Sequence, residues 1–222
     1  MTTRQPSTVT AGLQYRAPAP HLGHENRAKL LDIAWMAARR LSNVVGFDDA
    51  PFQRGARAPV TLVGAVCAAT RLDIVLRAEL QQDGDDATQV LAQVTRQPEL
   101  SHVRAVLLKG ITMASFNVVD IHALSEAASL PVLVVLRRPP RFEKFYQALA
   151  HLPDHAARRK LLEKAGPLER CGALWVQRAG LSVEEAHELL TRTTLHGTLP
   201  EPLRLAHLIA SGVTLGISRG HA

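Results

Sequence analysis

The sequence is short of the features that mark secreted, zinc-bound or membrane-embedded chains. It has two cysteines, Cys67 and Cys171. They form no CxxC pair and no Cys/His cluster, which argues against a disulfide framework or a zinc site and points to a reducing compartment. No apolar run approaches the roughly 20 residues of a membrane-spanning helix. The N-terminus carries Arg4 but no apolar centre like that of a signal peptide. The expected location is the cytoplasm, with no membrane partner. The histidines are scattered without metal-ligand spacing. Neither sign of charge dominates: 26 Lys and Arg against 20 Asp and Glu give +6, a weak bias towards polyanionic partners.

What is present is a globular composition, 46% hydrophobic over 222 residues, enough for one domain with a sizeable core. Residues 1–25 are rich in Thr, Pro, Ala and Gln without periodicity and read as a disordered tail. The rest, 26–222, reads as a single domain. Leu30, Leu31, Ala34, Trp35, Ala38 and Leu41 recur at helical spacing, predicting an amphipathic helix over 27–41. Three strands follow closely, over 43–48, 59–69 and 72–80. Such short links favour an antiparallel meander. Then strand and helix alternate: helix 87–96, strand 103–108, helix 117–129, strand 131–136, helices 141–151 and 154–165, strand 173–177, helices 182–192 and 201–211. A three-strand meander followed by helix, strand, helix, strand is the order of a ribonuclease-H-like α/β domain, a mixed sheet of antiparallel meander then parallel strands, flanked by helices.

The stretch Asn43 to Phe52 organises this pattern. An apolar strand ends on Asp48 and Asp49, and side-chain alternation sends the two carboxylates to opposite faces. A carboxylate on a rigid strand end is a common ligand for Mg²⁺ or Mn²⁺; Asp is also frequent at plain strand-to-turn junctions, where it bonds its own backbone. The predicted sheet brings the strand ends at Asp48 and at Lys109-Gly110 together, with Asp83 near. Two or three carboxylates there would hold cations that activate water. Lys109 does not suit that slot, because a cation repels a metal. Gly84 permits a sharp turn, and Asp85 or Asp86 can cap the following helix. On the last helix Arg204, His207 and Ser211 share one face. His207 is either a core histidine bonded to a carbonyl or a group that orients water or moves a proton. Arg137 leaves the fifth strand, as a solvated arginine or a phosphate contact. Asp120 reads as a helix N-terminal carboxylate and Cys67 as a small core residue.

Six segments, Gly46 to Phe52, Asp83 to Thr88, Gly110-Ile111-Thr112, Phe116 to Ile121, Pro131 to Pro139 and Pro200 to Ser211, resemble the endonuclease dU family, in order across roughly residues 43–213. That family is similar to endonuclease V, a Mg²⁺-dependent repair nuclease of ribonuclease-H-like fold that cuts near deaminated bases. The resemblance implies a metal-dependent endonuclease of DNA repair, acting on DNA with deaminated bases such as deoxyuridine, with RNA an open alternative. By position it implies Asp48 as a metal ligand, Asp83 or its rival Asp86 as the second, His207 as a histidine of the active site, and Arg137 near the phosphate. Beside these, Lys109 and Arg204 are expected as further nucleic-acid contacts, and Asp49 and Asn117 in secondary roles. Which loops would receive the base stays open; 50–58, with Arg54 and Arg57, and 110–117 are candidates.

The chain departs from that pattern in two places. Both families place an Asp immediately before the Gly of Gly110-Ile111-Thr112, where this chain has Lys109. The usual Gly-Gly-Phe-Asn is here Ala114-Ser115-Phe116-Asn117. Lys109 changes the local charge by two units, and each unit is worth on the order of several kcal/mol at a few ångströms. Two expectations follow: a nuclease in which Asp49, Asp85 or Asp86 compensates, or a nucleic-acid-binding homologue impaired in catalysis, with Lys109 on the phosphate.

Overall fold

A computed structural model describes residues 43–55 and 58–218. The expected tail over 1–25, the expected helix over 27–41 and Arg57 lie outside the described residues.

The described residues begin with three strands, β1 (Asn43–Asp49), β2 (Val60–Ala68) and β3 (Arg71–Leu80). They pair as the expected antiparallel meander, with Asp48 opposite Val63 and Val63 opposite Arg77. Helix α1 (Ala87–Thr95) leads to β4 (Ala105–Leu108), which pairs parallel to β1 with Phe47 opposite Leu108. Helix α2 (Ile121–Ala128) leads to β7 (Val132–Leu136), parallel to β4. Helices α3 (Phe142–Leu149) and α4 (His155–Lys164) follow. Then come the hairpin β8 (Glu169–Cys171) and β9 (Leu174–Ala179), and helices α5 (Val183–Thr193) and α6 (Glu201–Leu215). The strand order is β3-β2-β1-β4-β7-β9-β8. Meander first and parallel strands beside β1 make this a ribonuclease-H-like sheet.

Three local expectations are corrected. The last sheet strand runs antiparallel to β7 and carries a partner, β8, that the pattern did not reveal. The expected helix over 117–129 begins only at Ile121; Asn117 and Val118 form β6, paired with β5 (Thr112–Met113) in a small second sheet. Asp120 is the N-cap, as expected, accepting from the His122 and Ala123 amides. In the turn after β3 the left-handed residue is Asp83, with φ of 53°, not Gly84.

The central strands are buried on both faces, which accounts for their unbroken apolar runs. On one face Val45, Phe47, Val106, Leu108, Val132 and Val134 pack with the helices that follow β3 and β6. On the other, Val44, Leu107 and Leu133 pack with α5 and Leu203 of α6. Cys67 is fully buried in β2, and burial pushes its thiol up to about 12.

Helix α6 lies against β1 and β2 because Gly46 lets it. A Cβ at Gly46 would sit 2.5 Å from the Pro202 carbonyl carbon and 2.7 Å from the Leu203 nitrogen. Absence of a side chain there brings backbone onto backbone. That contact fixes the level at which the next turns of α6 cross the strand ends.

Candidate functional site

The site grows from that crossing. Asp48 and Lys109 end two adjacent parallel strands, and the Lys109 amide donates to the Phe47 carbonyl at 3.2 Å. His207 lies on the second turn of α6, above both. The Lys109 Nζ stands 2.9 Å from Asp48 Oδ2, and His207 Nδ1 stands 2.7 Å from the same oxygen and 2.7 Å from Nζ. The Asp48 side chain is only 7% exposed, while those of Lys109 and His207 are each 26% exposed, so the cluster is open from its cationic side. The imidazole has two ways to fit: with a bare Nδ1 it accepts from Lys109, and with Nδ1–H it donates to Asp48.

Asp49 points to the opposite face, as alternation requires, and Oδ2 accepts from the Ala114 amide at 3.1 Å. Burial, followed by the neighbouring Asp48 charge, pushes its carboxyl up to about 6. The Ala114 carbonyl in turn accepts from the Asp83 amide at 3.0 Å. Asp83 Oδ1 accepts from the Phe116 amide at 3.1 Å. Arg158 of α4, absent from the sequence reading, closes this loop. Its guanidinium donates to the Asp83 carbonyl at 2.6 Å and to the Phe116 carbonyl, and is held by Asp154 at 2.7 and 2.8 Å. Only its i, i+4 spacing from Asp154 was visible in the sequence.

The other expected residues take structural duties. Asp86 accepts from the Gln81 amide and, at 2.6 Å, from the Asn117 side chain. Asn117 is fully buried, and its side-chain oxygen accepts from the Ala87 amide at 3.0 Å, so the pair ties β6 to the start of α1. Arg204 is paired within its own helix to the buried Glu201, at 2.6 to 3.0 Å. Ser211 is buried. Of the polar stripe on α6, His207 alone joins Asp48. Arg137 is exposed at the end of β7 and has no ion pair among the described residues.

The resemblance implies Mg²⁺ or Mn²⁺, which needs several anionic oxygens aimed at one point. Here Asp48 Oδ2 faces an ammonium, Asp49 and Asp83 face backbone amides, and Asp86 faces the Gln81 amide of its own loop and the Asn117 side chain of β6. Among the described residues no three His, Cys, Asp or Glu side chains converge on a metal-sized point. A divalent ion about 4 Å from the Lys109 charge would meet a repulsion on the order of 8 kcal/mol at an effective dielectric near 20. The residues present do not fit the metal.

Beyond Lys109 the chain turns at Gly110, whose φ of 101° is closed to most side chains. Gly110, Ile111 and Thr112 form one wall of a cavity of about 510 Å³. Phe142, Phe145 and Tyr146 of α3 line another part, with ring centroids 6.4 Å apart for Phe142 and Tyr146 and 5.7 Å for Phe145 and Tyr146. Gln177 of β9 lines it too; its Nε2 donates to the Gly166 carbonyl at 2.7 Å, leaving the amide oxygen as an acceptor.

A ribonuclease-H-like sheet that gathers carboxylate, ammonium and imidazole at the ends of β1 and β4 defines a nuclease-like α/β protein. Within that class the chain belongs to the endonuclease dU family, whose profile it matches over residues 40–214. It is 49% identical over 183 residues to a UPF0215 protein of Deinococcus radiodurans, across 82% of this chain and 93% of that one. A solved protein of unknown function from Archaeoglobus fulgidus superposes with a TM-score of 0.72 at 35% identity, covering 77% of this chain and 97% of the other. The Ciona intestinalis endonuclease V, solved with DNA containing an inosine, gives a TM-score of 0.48 at 13% identity, over 82% of this chain and 95% of that one. No described helix is long and apolar enough to cross a membrane.

Proposed function

We propose that this protein engages DNA carrying a deaminated base such as deoxyuridine, with the strand at the rim of β1, β4 and α6 and the base in the cavity beyond Gly110. The observation that carries the reading is the adjacency of that cavity to the Asp48, Lys109 and His207 cluster, one residue along the chain. A base can reach such a cavity only by leaving the stack, at a cost of a few kcal/mol that is smallest for damaged or mismatched positions. Aromatic rings and apolar walls suit its faces. Deamination replaces a ring-nitrogen lone pair by an N–H, in cytosine giving uracil and in adenine giving hypoxanthine. The Gln177 amide oxygen accepts from that N–H, whereas at the same ring position the parent base presents only a second acceptor. At the rim, Lys109 and Arg137 meet phosphate oxygens, and His207 orients a water or carries a proton at Nδ1.

Phosphodiester hydrolysis is the second reading, and family membership favours it. One experiment addresses both. Duplexes with one deoxyuridine, one deoxyinosine or neither are bound and incubated with wild type, Asp48→Asn and Lys109→Asp, with Mg²⁺ or Mn²⁺ present. Preference for a modified duplex supports the proposal, and equal binding of all three opposes it. Cutting by the wild type that Asp48→Asn abolishes establishes hydrolysis. Cutting by Lys109→Asp alone would leave binding as the function of the natural chain.

A further inference from the structure

We infer that Lys109 stands in for the divalent cation of this site: its ammonium is a cation built into the chain, and the site assembles and holds a phosphate without a metal. The inference about phosphate rests on the nucleic-acid reading above; the inference about the metal does not.

Register is the first support. Lys109 follows Leu108, which pairs with Phe47, so Lys109 and Asp48 occupy matching places on adjacent parallel strands and project to the same face. The second is contact. Nζ lies within 3 Å of both the carboxylate oxygen and the ring nitrogen that a metal would have to recruit. The third is the engagement of three nearby carboxylates. Asp49, Asp83 and Asp86 are bonded to Ala114, Phe116 and the Gln81 and Asn117 donors, so opening a metal site here would break bonds that hold three loops together. Donor count is the fourth. An ammonium has three N–H groups. Asp48 takes one and His207 takes at most one more. At least one remains, on a side chain that reaches the surface. That N–H can meet a phosphate oxygen as a point charge does. The buried Asp48 then serves to hold the ammonium in place, where a nuclease of this fold would use it to hold a metal.

Two measurements on the full chain test this, one without nucleic acid. Thermal unfolding is followed over a Mn²⁺ titration into the millimolar range, with Ca²⁺ as a control. The wild type is expected to show no saturable rise in Tm, while Lys109→Asp acquires one. A saturable rise in the wild type overturns the inference, whatever the variant does. Affinity for a duplex with one deoxyuridine is then compared in EDTA and in Mn²⁺. Equal affinities for the wild type, with about a tenfold loss in Lys109→Met, support the phosphate role. Lys109→Met keeps the length of the side chain, and its melting curve without metal checks that it folds. Binding that needs Mn²⁺ overturns the inference. Absence of binding in both buffers overturns the nucleic-acid reading and the phosphate role with it, while the Mn²⁺ titration still decides whether the metal is replaced.

Discussion

Ala114 and Ser115 have φ of 46° and 80°, consecutive left-handed residues that both carry a Cβ. The left-handed region costs a non-glycine residue about 1–2 kcal/mol. This gives a physical reason for the Gly-Gly that the family resemblance leads one to expect here. Ser115→Gly is therefore expected to stabilise the chain by about 0.5–1 kcal/mol, the strain relieved less the extra freedom of the unfolded glycine. Urea unfolding measures it, and a loss of stability would mean the serine side chain contributes more than the strain. Asp49 supplies a pH-dependent counterpart. Its folded carboxyl is raised from 3.8 to about 6, first by burial and then by Asp48. A raised acid contributes stability in full below its unfolded value and loses it as pH climbs through the folded value. Asp49→Asn keeps an acceptor for the Ala114 amide and does not titrate. Relative to the wild type it should gain on the order of 3 kcal/mol between pH 4 and pH 7. A stability difference that stays flat across that range would show that Asp49 does not titrate there.

At the scale of elements, the position of α6 decides whether there is a site at all. Gly46→Ala puts a methyl against the backbone of Pro202 and Leu203, and neither can move without shifting the helix. The expected cost is about 2–3 kcal/mol, as for other overpacked cores. Because the same shift withdraws His207, affinity for a deoxyuridine duplex should fall with stability. A variant that is destabilised yet binds normally would place His207 outside the interface. The strands that carry this geometry were legible. β1 and β4 are apolar runs closed by polar residues, β3 alternates, and the expected ribonuclease-H-like sheet order made Asp48 and Lys109 neighbours. The two-residue strands β5 and β6 were not legible, because pairing so short leaves no periodicity; β6 exists through Asn117, whose side chain bonds Gln81, Asp86 and Ala87. The duties of Asp86 and Arg204 were hidden for a related reason. Sequence places a charged side chain on a face but does not say which neighbour claims it.

For the whole molecule, the proposed function requires a chain of only +6 to distinguish one strand position from another. Net charge sets general attraction to DNA, which weakens with salt in proportion to the number of phosphates neutralised. On the proposed reading base selection comes from the cavity, whose lining carries one charged residue, Glu163. The two can be separated. Arg137 and Arg138 are exposed where the chain leaves β7, and Pro140 two residues later lines the cavity. Replacing both arginines by Ala should lower affinity for modified and unmodified duplexes alike and reduce the slope of log K against log salt by about 1–2, one unit per phosphate contact. Leu168→Trp, which fills part of the cavity, should leave that slope unchanged and remove the preference for deoxyuridine. Titrations of both duplexes at several salt concentrations distinguish these effects. If the arginine pair alters preference, or the tryptophan alters the slope, then base and backbone are not read at separate places. The assignment of the cavity to the base would then have to be abandoned even if the rim still bound DNA.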